Sequence, residues 1–127
     1  RRSDVLFTQT PGAEPVLKKS WLRPHATVIA SGSDQPTKQE LPVDVLANSK
    51  YICDLSKQAV RVGELRSAVA ANAMTEDDVY AELGEVVNGS KVGRKGEELI
   101  VVDLTGTGAQ DAAIGQVAWE KLSALRK

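Results

Sequence analysis

A single cysteine, Cys53, cannot build an internal disulfide framework, and a single histidine, His25, with that one distant cysteine makes no metal site. No apolar run approaches the roughly 18 residues that a membrane span requires, and no segment reads as a signal peptide. Nor is either sign of charge in excess. Sixteen Lys and Arg stand against 17 Asp and Glu, a net charge of −1, so neither a nucleic-acid partner nor a membrane partner is expected. With a disulfide framework excluded, a reducing, cytoplasmic setting is the simplest expectation.

What is present suits one globular domain with a hydrophobic core: 127 residues, 42% hydrophobic and 26% charged. The chain opens with Arg1-Arg2-Ser3-Asp4, without Met, and passes at once into apolar Val5-Leu6-Phe7. A beginning in mid-pattern predicts a fragment, a cleavage product or the ordered part of something longer.

Four short apolar runs read as strands: residues 5–8, 26–30, 51–55 and 99–104. The first is closed by Gln9-Thr10-Pro11-Gly12 and the second by Ser31-Gly32-Ser33-Asp34. None alternates with period two, which suits strands buried on both faces of a parallel sheet. Helical patterns lie between and after them. Residues 43–47 follow Pro42, a residue suited to a first helical position. Residues 57–73 carry Ala59, Val62, Leu65, Val69 and Ala73 at helical spacing, with Ser56 as N-cap. Thr75 and Asp78 form a capping-box variant that opens a helix to Val87, stopped by Asn88-Gly89. Residues 110–125 form the last helix, with basic residues concentrated at its end. Residues 88–98, rich in Gly, Lys and Glu, read as an exposed loop. Strands alternating with helices predict an α/β fold with a mostly parallel sheet.

In an open parallel sheet, ligands bind beyond the carboxyl ends of the strands. Thr8 and Thr10, Ser31 to Asp34, Asp54, and Thr105 to Gly108 all stand there. Asp34 follows Gly32, which allows close backbone approach, and could act as a general base or activate water. Lys38, four residues on, could hold it ionised or touch a ligand. The alternative is a solvated turn with a surface ion pair. Thr105-Gly106-Thr107-Gly108-Ala109-Gln110-Asp111 resembles a dinucleotide fingerprint in its first two glycines, but Asp111 stands where the third small residue belongs. Close approach to an uncharged ring suits it better than a phosphate cradle, and a tight strand-to-helix turn suits it equally. His25 reads as structural or superficial, Cys53 as a small core residue, and Trp21 and Trp119 as packing residues. Glu82 and Glu85 share a helical face and receive no role.

These same residues resemble the ornithine cyclodeaminase/mu-crystallin family. Asp4-Val-Leu-Phe-Thr-Gln-Thr-Pro11 is similar to the family's strand and Thr-x-Thr-Pro turn. Trp21-Leu-Arg-Pro24, Ser31-Gly-Ser-Asp34, Lys38-Gln-Glu-Leu41, Gly63-Glu-Leu65, Ala81-Glu-Leu-Gly84 and Asp103-Leu-Thr-Gly106 with Gln110-Asp111 follow in the family's order. The resemblance implies the second half of a Rossmann-type domain in residues 1–109, and in residues 110–127 a helix returning to a substrate and dimerisation domain. It implies NAD or NADP as cofactor, with Asp34 as the acid/base, and Thr8, Thr10, Gly32, Lys38, Thr105 and Gly106 beside the cofactor. Hydride would move between an amino acid's α-carbon and the nicotinamide. Two departures stand out: His25-Ala26-Thr27 replaces a Gly-Thr-His order, and Leu104 replaces a frequent serine. The Gly-rich pyrophosphate loop and the residue that selects NAD or NADP are absent.

The expectation is therefore the carboxy-terminal part of a cyclodeaminase, amino-acid dehydrogenase or ketimine reductase, inactive alone and active when complete on a small amino-acid or imine substrate. Its partners would be the complementary N-terminal half and, for the complete protein, a second copy. The alternatives are a non-catalytic NADPH- and small-ligand-binding protein of the mu-crystallin type, and an inactive fragment.

Overall fold

The computed structural model describes residues 3–125; Arg1, Arg2, Arg126 and Lys127, with most of the basic end expected for the last helix, lie outside it. Five strands form one sheet: β1 (Val5–Thr8), β2 (Thr27–Ala30), β3 (Lys50–Cys53), β4 (Ala81–Glu82) and β5 (Ile100–Asp103). Their order is β1-β2-β5-β3-β4, and every pair is parallel. The α/β reading with a parallel sheet and a closing helix holds. The register sets Thr8, Ala30, Asp103, Cys53 and Glu82 side by side in one row. All five strands thus end together, and the segments after them share one edge.

Strands β1, β2, β3 and β5 fall within a residue or two of the apolar runs. The fifth, β4, escaped the sequence pattern because it is two residues long and lies inside a stretch expected to be helical. Thr75 and Asp78 do form a reciprocal capping box, but it closes only a single 3₁₀ turn at Glu76–Asp78. Tyr80 then donates its N–H to the carbonyl of Tyr51, which draws Ala81 and Glu82 into the sheet. Only α4 (Leu83–Val87) remains of the expected helix, and Glu82 and Glu85 form its own capping box.

The long helix expected at residues 57–73 is two pieces, α2 (Ser56–Ala59) and α3 (Leu65–Ala70). The break falls at Gly63, where an added Cβ would meet the Asp103 carboxyl and the Thr105 side chain. Ser56 is the first helical residue rather than the N-cap; its N–H and hydroxyl both donate to Glu82. Helix α1 (Val43–Leu46) follows Pro42, which stands at the N-cap, one position earlier than expected.

One face of the sheet carries Val28, Ala30, Val101, Tyr51 and Cys53 into a core with Leu41, Leu46, Leu65 and Ala68 from the segments of α1 and α3. Burial on both faces, expected from the continuous apolar runs, is only partly met. Val5 and Phe7 on β1 are each 60% exposed, and Ile29 and Val102 beside Phe7 are half-buried. Helix α5 (Gly108–Ala124) buries no residue and exposes Ile114, Val117, Trp119 and Leu122, as does Leu125 just beyond it. No helix among the described residues is long and apolar enough to cross a membrane.

Candidate functional site at the carboxyl ends of the strands

Carboxyl groups hold the strand-end segments together, beside a few direct bonds between the segments. Glu40 is fully buried. Its side chain accepts the Thr8 hydroxyl at 2.8 Å, the Thr10 N–H at 2.6 Å and the Gly32 N–H at 2.8 Å. One group thereby ties the turn after β1 to the loop after β2. Ser31 reinforces the tie, donating its N–H and its hydroxyl to the Thr8 carbonyl. The need for glycine at position 32 follows from this geometry: any Cβ there would run into the Glu40 carboxyl and the Thr10 carbonyl.

Glu40 is itself gripped. Its N–H and that of Leu41 donate to the buried Glu64 side chain at 2.7 and 3.0 Å. The N–H of Glu64 in turn donates to Asp103 at 2.7 Å, and the Tyr51 hydroxyl donates to the same oxygen. Burial pushes the Asp103 and Glu64 carboxyls up to about 7 each, against the hydrogen bonds that favour their charged forms. Burial and the nearby Asp103 likewise push the Tyr51 hydroxyl far up.

On the β5 side, Asp54 does for the Thr105–Gly106 turn what Glu40 does for the other two. It accepts the N–H and hydroxyl of Thr105 at 2.8 Å each and the N–H of Gly106 at 2.9 Å. Gly106 has φ +82° and open space where a side chain would stand. Helix α5 then starts behind Thr107 in a reciprocal capping box with Gln110. Asp111 occupies its first turn, where it already answers part of the positive end of the helix.

Asp34 and Lys38 meet at 2.7 Å, with side chains 50% and 21% exposed. The lysine's hydrogen bond holds the Asp34 carboxyl below the usual carboxylate range. The loop between them is anchored from beneath, because the buried Ser33 hydroxyl donates to the carbonyls of Lys38 and Val62, and Arg66 also reaches the Lys38 carbonyl. The sequence-predicted residues thus fall into three groups on one edge: Thr8, Thr10 and Gly32 on Glu40; Thr105 and Gly106 on Asp54; and the Asp34–Lys38 pair. Neighbouring strands β2 and β5 join the first two groups, with the Leu104 N–H donating to the Ala30 carbonyl at 2.8 Å.

Sequence reasoning gave no role to Glu40, Glu64, Asp103 or Tyr51. The available signal was slight: Glu40 stands directly before Leu41-Pro42, and Glu64 between Gly63 and Leu65 in a stretch of helical apolar spacing. Glu82 and Glu85 also have work, capping α2 and α4. Trp21 and Trp119 are exposed rather than packed, and Lys18 lies over the Trp21 ring. His25 lies at the surface 3.1 Å from Asp4. Cys53 is buried, and burial with the nearby acids pushes its thiol up to about 12. A hollow of about 610 Å³ between Arg23, Lys50 and Glu98 lies at the opposite, amino ends of the strands.

Known proteins are similar to this chain in sequence and fold. Residues 1–125 match the model of the ornithine cyclodeaminase/mu-crystallin family. Alanine dehydrogenase from Archaeoglobus fulgidus is 41% identical over 120 residues, covering 94% of the chain and 37% of its own length. The solved iminosuccinate reductase of Paracoccus denitrificans in complex with NAD+ is 35% identical at a TM-score of 0.87, with 94% of this chain and 37% of that one covered. A solved lysine cyclodeaminase that recognises L-lysine and L-ornithine is 28% identical at 0.82, covering 100% and 36%. The chain spans about 37% of the length of the curated relatives it matches.

Proposed function

The chain belongs to the ornithine cyclodeaminase/mu-crystallin family, and from that premise we propose that it supplies one side of a nicotinamide-cofactor pocket in an enzyme of amino-acid and imine chemistry. The observation that carries this is the common ending of the five parallel strands, which puts Thr8, Thr10, Gly32, Thr105 and Gly106 on one edge beside Asp34 and Lys38. The edge fits the nicotinamide end of NAD or NADP. The buried Thr10 hydroxyl has no partner among the described residues, and Gly106 presents bare backbone with open space where a side chain would stand. It fits the phosphates poorly, since Asp111 stands at the start of α5.

The Thr8, Thr10, Thr105 and Gly106 edge would hold the cofactor, which would supply hydride transfer at the substrate's α-carbon. Asp34 moves the accompanying proton: held ionised by Lys38, it accepts one from the amino group or from water attacking the imine, and returns it in the reverse direction. Lys38 keeps that carboxylate charged and in place at the edge. Thr8, Thr10, Thr105 and Gly106 orient the ring, their own positions fixed by Glu40 and Asp54. Related chains reduce imines, oxidise amino acids or cyclise diamino acids, so the substrate class is a small amino acid or its imine.

The remaining pocket wall belongs to an N-terminal half. Residues 1–109 form the second half of the cofactor domain, and the helix from residue 110 onward returns to the substrate and dimerisation domain. This division is supported by the exposed Val5 and Phe7 at the β1 edge and by the exposed apolar side chains along α5. A non-catalytic cofactor- and ligand-binding protein is the second reading, favoured by the half-exposed Asp34–Lys38 pair, which has the form of a surface ion pair. Asp34→Asn in the protein at its relatives' full length separates the two. Loss of turnover by about two orders of magnitude with cofactor affinity nearly unchanged is expected for an acid/base. Unaltered turnover excludes the catalytic role of Asp34.

A further inference from the structure

We propose that Glu40 is a positioning residue: its buried side chain clamps the turn after β1 and the loop after β2 into the shape that receives the nicotinamide end of the cofactor. The inference deepens the cofactor-pocket reading above and rests on it.

Three observations carry it. Glu40 is fully buried yet takes no cationic partner among the described residues; its hydrogen bonds are spent on Thr8, Thr10 and Gly32, three of the residues that line the pocket edge. These donors lie 8 to 32 residues away in sequence, so Glu40 joins the two segments beyond the point where Ser31 ties them at the Thr8 carbonyl. Glu40 is in turn fixed through its own backbone, by Glu64, whose backbone is fixed by Asp103 at the end of β5. Side chain grips backbone at each step, and the series ends at the cofactor edge. A residue that served the core alone would not need its acceptors directed at the one turn whose remaining hydroxyl, Thr10 Oγ1, has no partner. By clamping the Thr10 N–H, Glu40 fixes the backbone that carries that hydroxyl at the edge.

Glu40→Gln tests the proposal with little change of volume. Whichever way the amide sits, it offers one oxygen where the carboxyl offered two, and its NH2 confronts the N–H of either Thr10 or Gly32. Amide hydrogen exchange in the full-length protein should show both N–H groups protected in the parent, and one of them exchanging at least about tenfold faster in the variant, with Val28 and Val101 in the sheet unchanged. Titration with NADH should then show affinity weakened about tenfold, the value of one backbone hydrogen bond, while the amino-acid KM stays close to the parent's. Exchange unchanged at both amides overturns the clamp. Exchange accelerated with NADH affinity unchanged makes Glu40 purely structural and overturns the positioning role. A parent protein that binds neither NADH nor NADPH overturns the cofactor-pocket reading itself, and the exchange result then still reports separately on the clamp. If Glu40→Gln fails to fold, Glu64→Gln carries the test one step back: about threefold weaker NADH binding is expected, and no change overturns the proposal.

Discussion

Gly63 lies against the carboxyl of Asp103, 40 residues away, so closely that no side chain has room between them. The contact is what allows the Glu64 N–H to reach Asp103 at 2.7 Å, and it is where the long apolar helix anticipated from the sequence breaks. Gly63→Ala should therefore be costly. The added methyl would meet Asp103, the Thr105 methyl at 2.8 Å and the Ala59 Cα at 2.9 Å, the last of these backbone that cannot turn aside. A loss of about 1–3 kcal/mol is expected from such overpacking, measured by denaturant unfolding. Stability equal to the parent's would show that Asp103 moves freely, and that the series from Asp103 to Glu40 is loose.

The buried acids also set a dependence on pH. Asp103 and Glu64 are raised to about 7, above the ordinary carboxylate values that they regain on unfolding. The folded chain then binds more protons than the unfolded chain between about pH 4 and 7, so stability falls as pH rises through that window, by at most about 1.4 kcal/mol per pH unit for each group. Asp4, Asp34, Glu82 and Glu98 are shifted the opposite way, and their contribution is lost only in stronger acid. Asp103→Asn can keep its oxygen toward Tyr51 and the Glu64 N–H while removing one titration. Unfolding measured at pH 5 and pH 8 should differ less in this variant than in the parent. An equal difference would show that Asp103 is already ionised in the fold at pH 5.

The division between what the sequence shows and what it hides follows from this architecture. Runs such as residues 26–30 and 99–104 are legible because β-branched residues in an unbroken row have few uses other than a strand in a parallel sheet. Strand ends then locate Thr8, Asp34 and Thr105 without further information. The site's supports are less visible. Glu40, Glu64 and Asp54 act through backbone N–H groups up to 52 residues away, and an N–H carries no mark of its identity in the sequence. Periodicity also misleads where a tertiary hydrogen bond overrides it. Tyr80 pairing with Tyr51 turns helical residues 81–82 into a strand, and the exposed apolar residues of α5 give helical spacing without a core in the described chain.

The turn between β5 and α5 makes opposite demands on two glycines two residues apart. Gly106 has φ +82° with no atom near its missing side chain, so its cost of substitution is backbone strain alone. Gly106→Ala should destabilise by about 1–2 kcal/mol, because a side chain in the left-handed region crowds the following carbonyl. Gly108 is the first residue of α5, with equally open space and no positive φ. There Ala should be neutral or stabilising by up to about 1 kcal/mol, through reduced freedom of the unfolded chain. Paired denaturant curves check both. The contrast also bears on the pocket, because Asp54 holds the Gly106 N–H at 2.9 Å in this same turn. If Gly106→Ala relaxes the turn instead of straining it, stability will recover, but Thr105 and Gly106 will lose the Asp54 clamp and their amides will exchange faster. Equal effects of the two substitutions would mean that the turn has no preferred hand, and that Thr105 and Gly106 are not set in advance for a ligand.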